Sequence, residues 1–177
     1  RLFPNFEFLD APFNLQFYKE GDPDTEVATM GCRTRVMANI NGPSTTSGRG
    51  NLSFTSINLP RLAIEAHNDA HRDGGGATDE GVYALFMHKL DETVDLVIRQ
   101  LLERFEIQAE RHVYNYPFLM GQGVWMDSDK LKREDTVRDV IKHGTLGIGF
   151  IGLAEAMKAI FGKNHAESQE VWDHAYK

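Results

Sequence analysis

Cysteine is nearly absent: the 177 residues contain one, Cys32, and a lone thiol rules out an internal disulfide framework. A reducing, cytoplasmic setting is the natural expectation. Positive charge is also in short supply. Nineteen Lys and Arg against 26 Asp and Glu leave a net charge of −7 and a pI near 5.5. Such a surface cannot neutralise a run of phosphates, so no nucleic-acid partner is expected. No apolar run approaches the roughly 20 residues of a bilayer-spanning helix, which excludes a membrane partner of that kind. The opening RLFPNFEFLD lacks the pattern of a signal peptide, and no initiator methionine precedes it. What is present, 41% apolar residues, suits a single globular unit with a sizeable core.

Taken in order, Arg1–Gly21 mixes aromatic residues with Pro4 and Pro12 without a clean period, and reads as irregular with one short strand. Gly21–Asp24 is a turn. Val27–Met30 and Leu52–Asn58 read as strands around a polar loop at 39–50 rich in Gly, Ser, Thr and Asn. Asn58–Ala66 runs on into a helix. Thr78 caps a long helix that reaches about Phe105, with Asp79 and Glu80 at the positive end of its dipole and a helical apolar stripe from Val82 onward. Glu103, Glu106 and Glu110, interleaved with Arg99, Arg104 and Arg111, form a solvated face. Tyr114–Trp125 reads as buried loop or short strand. Asp127–Asp129 reads as the N-cap of a helix through Leu131, Val137, Val140 and Ile141, stopped by Gly144. Thr145–Phe150 is an extended segment that enters a helix over Ile151–Phe161. Glu167–Lys177 reads as a last helix.

Four local patterns invite chemistry. His67 and His71, at i and i+4 with Asp69 and Asp73 nearby, suggest a metal, but no third ligand has suitable spacing. A solvated helix end is the simpler reading, and no metal is expected within the chain. Gly74–Gly76 could cradle a phosphate, but Asp73, Asp79 and Glu80 would repel it, so a chain reversal is favoured. Gly147, Gly149 and Gly152 spell G-x-G-x-x-G. The preceding segment is charged and helical, however, and residues 153–177 leave no room for the second strand of a dinucleotide fold. Two readings of these glycines stay open: backbone N–H groups approaching a substrate phosphate, or close packing of a strand against a helix. Cys32, where a strand gives way to a loop, is either a packed, inert thiol or a reactive group on a rigid support.

Four segments carry a resemblance. ATMGCRTRV at 28–36, GRGN at 48–51, INLPRLAIEA at 57–66 and HGTLGIGFIGLAEA at 143–156 are similar, in this order, to the anaerobic (class III) ribonucleoside-triphosphate reductases, a glycyl-radical enzyme family. The likeness runs through nearly all of the chain. It implies an α/β fold: part of a ten-stranded α/β barrel, with a finger loop over residues 27–58 and long flanking helices. It implies reduction of ribonucleoside triphosphates to 2′-deoxyribonucleoside triphosphates, a reaction that takes a hydrogen atom from an unactivated ribose carbon. Neither acid, base nor metal-bound water accomplishes that; radical chemistry does.

By this resemblance Cys32 is the thiyl-radical cysteine. Asn51 is the active-site amide that hydrogen-bonds the ribose hydroxyls, and a group with both donor and acceptor suits a diol. Thr34 adds a hydroxyl contact. Met30 stands where members supplied by a redox protein tend to carry a second cysteine, so with Asn51 it points to formate as reductant. Thr145, Gly147 and Gly149 are placed toward the substrate phosphates. The resemblance also implies a glycyl radical made by an iron–sulfur, S-adenosylmethionine-dependent activase, a four-cysteine zinc site, an ATP-binding cone and an effector site. All of these belong to flanking chain, and none of their motifs occurs here. A homodimer is implied for the full-length protein. A pyruvate formate-lyase relative would need adjacent cysteines, which Gly31-Cys32-Arg33 does not supply. The remaining alternative is a non-catalytic nucleotide-binding or structural module that keeps the hairpin.

Overall fold

The fold is seen in a computed structural model that describes residues 6–30, 34–35, 37–72, 74 and 76–177. The elements, in order, are α1 (Pro12–Leu15), β1 (Thr29–Met30), β2 (Thr34–Arg35), β3 (Asn51–Asn58), α2 (Leu59–Ala70), α3 (Asp79–Ala109), α4 (Arg138–Ile141), β4 (Thr145–Ile151), α5 (Leu153–Phe161) and α6 (Gln169–Tyr176). The class is α/β, as expected. β3 and β4 are hydrogen-bonded neighbours, and their contacts ascend together: Thr145 meets Asn51, Gly147 lies by Phe54 and Gly149 by Ser56. That order makes the pair parallel, which requires the long helical crossover between the strands. Among the described residues no helix is long and apolar enough to cross a membrane.

The chain forms two compact units. The first comprises residues 1–53 and 104–146, the second 54–103 and 147–177, so β3, α3 and β4 each contribute to both. In the first, Val113, Met120, Trp125, Val137, Val140 and Ile141 are buried together, with Leu52 and Phe105 packed against them. In the second, wholly buried Ala63 and Ala66 on α2 and Ala156 on α5 belong to two helices in extensive contact. Gly152 opens α5 with φ +82°, and a Cβ there would lie 2.4 Å from Pro60 Cγ. Gly152 therefore serves the close approach of α2 to the start of α5. Glu155 in the first turn of α5 already complements the helix dipole with a carboxylate.

Three expectations need correction. The N-terminal segment holds a short helix, α1, started by Pro12, and no named strand among its described residues. The long helix runs on to Ala109, since nothing between Phe105 and Ala109 breaks it. Residues 127–141 are not one helix. Asp127 adopts φ +65°, Ser128–Lys130 is a single 3-10 turn, and Leu131 is extended. Asp135 then takes the Lys132 N–H on its side chain, a local bond that competes with helix, and only Arg138–Ile141 is α-helical. The helix end at His67 and His71 is as expected. The two rings stack at 4.3 Å, the His71 ring bonds the His67 carbonyl, and Asp69 pairs with Lys89 and Arg72. The Lys89 ammonium holds the Asp69 carboxyl below its usual range. No group of three metal-ligating side chains forms among the described residues.

Candidate active site

The stretch Gly48–Asn51 is placed by four separate constraints. Gly48 has φ +67°, and its carbonyl accepts the Met126 N–H at 2.7 Å; a Cβ there would stand 3.1 Å from that nitrogen. Gly50 faces the Trp125 ring, which a Cβ would meet at 3.2 Å. The Trp125 indole is itself fixed by donating to Val140 O at 2.8 Å. Between the glycines, Arg49 turns its guanidinium inward. Nε donates to His143 O at 2.7 Å, Nη1 to Thr45 O at 2.9 Å and Met37 O at 3.2 Å, and Nη2 to Ala38 O at 3.0 Å. Removal from water lowers the Arg49 pKa from its ordinary value.

Asn51 opens β3 and Thr145 opens β4. The Gly50 carbonyl accepts the Thr145 N–H at 3.0 Å, and the Thr145 hydroxyl donates to Asn51 Oδ1 at 2.5 Å. The Asn51 amide nitrogen is left to point elsewhere, and the residue is exposed. Two residues expected to share a site therefore touch. Immediately before Thr145, a Cβ on Gly144 would lie 2.5 Å from Leu52 Cγ, so only glycine lets the two strands begin this close together.

His143, buried to 2% exposure, holds the lead into β4. Asn39 Oδ1 accepts the Asn41 N–H at 3.0 Å, which leaves the Asn39 amide nitrogen facing His143 Nδ1 at 3.2 Å. Nδ1 must then accept, so the ring proton sits on Nε2 and is donated to Asp127 Oδ2 at 3.1 Å. Lys130 bonds the other Asp127 oxygen at 2.6 Å and, more than His143, holds that carboxyl below its ordinary range.

β1 and β2 are antiparallel, with Thr29 opposite Arg35 and Met30 opposite Thr34, while β3 pairs with β4; the arms of the finger are thus β1 and β2, not the strands expected on either side of the 39–50 loop. The chain joins them through Gly31, Cys32 and Arg33. Cys32 lies outside the described residues; Met30 and Thr34 are paired through their backbones in the arms. Gly147 and Gly149 fall in the second unit, each where a Cβ would come within 3.3 Å of β3 side-chain atoms, of Phe54 and Ser56. Arg49, His143 and Asn39 were not singled out from sequence, and Asp127 only as a helix cap. The one available signal was an arginine between two glycines just ahead of Asn51.

The model of the family described as anaerobic ribonucleoside-triphosphate reductase matches residues 1–177. The chain belongs to that family. It is 32% identical over 145 residues to the anaerobic ribonucleoside-triphosphate reductase of Salmonella typhimurium, and 32% over 145 residues to that of Escherichia coli, matching 80% of this chain in each case. The reductase of this name from Enterobacteria phage T4 is 27% identical over 133 residues, 73% of this chain. The chain spans only 18% of the length of the two bacterial reductases and 20% of the phage one. As reductases, these proteins are oxidoreductases. The finger arms and the Asn51–Thr145 pair are features of a segment of such a reductase, not of a whole one.

Proposed function

We propose that, within its full-length protein, this chain builds part of the chamber in which ribonucleoside triphosphates are reduced to their 2′-deoxy forms, in a ten-stranded α/β barrel. The observation that carries this reading is the finger register: Met30 opposite Thr34 leaves Gly31-Cys32-Arg33 as the link between the arms. Cys32 acts as the hydrogen-abstracting thiyl, because sulfur gives up and takes back a hydrogen atom readily. Asn51 binds the ribose hydroxyls, its amide carrying both donor and acceptor, while Thr145 fixes its orientation. Thr34 adds a hydroxyl contact, and Thr145, Gly147 and Gly149 line the side toward the phosphates. Met30, in place of a second cysteine, fits a site reduced by formate. The balance then closes. The substrate gains two electrons and loses its 2′-hydroxyl as water, and formate gives up two electrons and leaves as CO2.

The radical that starts the cycle is supplied by a glycyl radical on flanking chain, installed by an iron–sulfur activase that uses S-adenosylmethionine. With one cysteine, these 177 residues cannot hold a four-cysteine zinc site, so zinc too belongs to flanking chain. The full-length form is a homodimer in this reading. Cys32→Ser in the full-length, anaerobically activated enzyme tests it. Turnover is expected to vanish while folding and nucleotide affinity stay at wild-type level. Retained turnover, or lost stability as the main effect, would assign the hairpin a structural role instead. Isotope-labelled formate should yield one CO2 per deoxynucleotide; turnover driven by a dithiol protein without formate would overturn that part.

A further inference from the structure

Arg49 is placed unlike an ordinary surface arginine. It is half-buried, takes part in none of the ion pairs among the described residues, and spends its donors on four main-chain carbonyls from three stretches of chain. Met37 and Ala38 come one residue after the return arm of the finger. Thr45 lies in the loop between finger and β3. His143 stands two residues before Thr145, as Arg49 stands two residues before Asn51. One planar group thus anchors the finger's return arm, the backbone leading to Asn51 and the backbone leading to Thr145. The Asn51–Thr145 hydrogen bond then closes the circuit. A charged donor bonded to carbonyls makes stronger hydrogen bonds than a neutral one, and it is costly to leave unpaired.

We infer that Arg49 is a positioning residue: it sets where the Asn51 amide stands relative to the finger, and so decides how well the site recognises the ribose hydroxyls. The inference rests on the functional reading above. The fork geometry is what matters. Lysine would keep the charge but gathers its three N–H bonds on one nitrogen, which cannot reach four carbonyls spread around a plane.

The test uses the full-length enzyme and compares binding of a ribonucleoside triphosphate with its 2′-deoxy counterpart by calorimetry. The wild type is expected to prefer the ribonucleotide, and Asn51→Ala to lose most of that preference, on the order of tenfold for a lost hydrogen bond. Arg49→Lys should lose it to a similar extent, with deoxynucleotide affinity and unfolding midpoint near wild type. The double variant Arg49→Lys/Asn51→Ala should be no worse than either single one, because both act on one group. Equal weakening toward both nucleotides, additive losses, or a wild-type preference in Arg49→Lys would each overturn the inference. Arg49→Gln is the second variant; if both unfold, Arg49 is a structural clamp only and the inference fails. Anaerobic turnover of the wild type is measured alongside. Its absence overturns the functional reading alone, since control of the ribose preference by Arg49 is read from binding.

Discussion

Glycine at position 152 answers two demands at once. Its φ of +82° is a conformation side chains rarely adopt, and the Cβ it lacks would sit 2.4 Å from Pro60 Cγ and 2.6 Å from Pro60 Cδ. A proline ring cannot swing aside, so Gly152→Ala must shift α2 against α5. The expected loss is about 2–5 kcal/mol, combining backbone strain with overpacking, measured by denaturant unfolding. Gly162, also at positive φ but with nothing within 4 Å, should show only the strain, about 1–2 kcal/mol for Gly162→Ala. Comparable losses at both sites would show that packing against Pro60 is not what Gly152 serves. The contrast also shows what sequence could disclose. The spacing G-x-G-x-x-G was legible, and so was its failure as a dinucleotide motif. Which atoms face each glycine was not, because Phe54, Ser56 and Pro60 lie about 90 residues away in the chain. Asn51 and Thr145 were legible as candidates through resemblance, and their contact is a long-range fact of this same kind. Arg49 acts through main-chain carbonyls, which carry no residue-type signature, and His143 through Asn39 and Asp127, which are distant in the chain.

At the scale of the element, the segment 127–141 shows how a good cap signal misleads. Asp-Ser-Asp ahead of an apolar pattern fits a helix start, yet Asp127 spends its carboxylate on Lys130 and His143, and no side-chain cap forms. The strands and long helices were easier to read because alternation and the apolar stripe persist over many residues, which local side-chain bonds cannot outvote. The Asp127 cluster carries a pH signature whose sign follows from its direction. Its folded carboxyl lies below the unfolded value, first through the Lys130 bond and then through His143. The stabilisation is therefore complete above the ordinary carboxylate range and is lost as pH falls through the lowered value. Asp127→Asn keeps an acceptor for His143 and removes the charge facing Lys130. It should lower the thermal midpoint at neutral pH and shallow its decline toward pH 3, the two proteins converging in acid. Equal offsets at all pH values would show that the carboxylate charge contributes nothing.

At the scale of the molecule, what stands out is apolar surface that nothing among the described residues covers. Phe54 on β3 is 68% exposed, and Phe150 and Ile151 on β4 are 64% and 65% exposed, all in the second unit. Scattered apolar side chains need no explanation, but large ones on a hydrogen-bonded pair with open strand edges make an adhesive surface. In the proposed barrel, the rest of the full-length protein would cover these side chains on both sides of the strand pair. Two consequences separate this account from one in which the 177 residues are self-sufficient. Expressed alone, they should neither acquire a radical nor reduce nucleotides, even with the activase under strict anaerobiosis. They should also associate, their weight-average mass in sedimentation equilibrium rising with concentration. Phe150→Lys should suppress that association in the isolated segment, where the side chain meets water. In the full-length protein the same substitution should instead lower stability, because a charge would be driven into a buried face. A monomeric, unresponsive segment together with a full-length protein indifferent to Phe150→Lys would mean that this face meets solvent in the intact enzyme, and that β3 and β4 are not interior strands of a larger barrel.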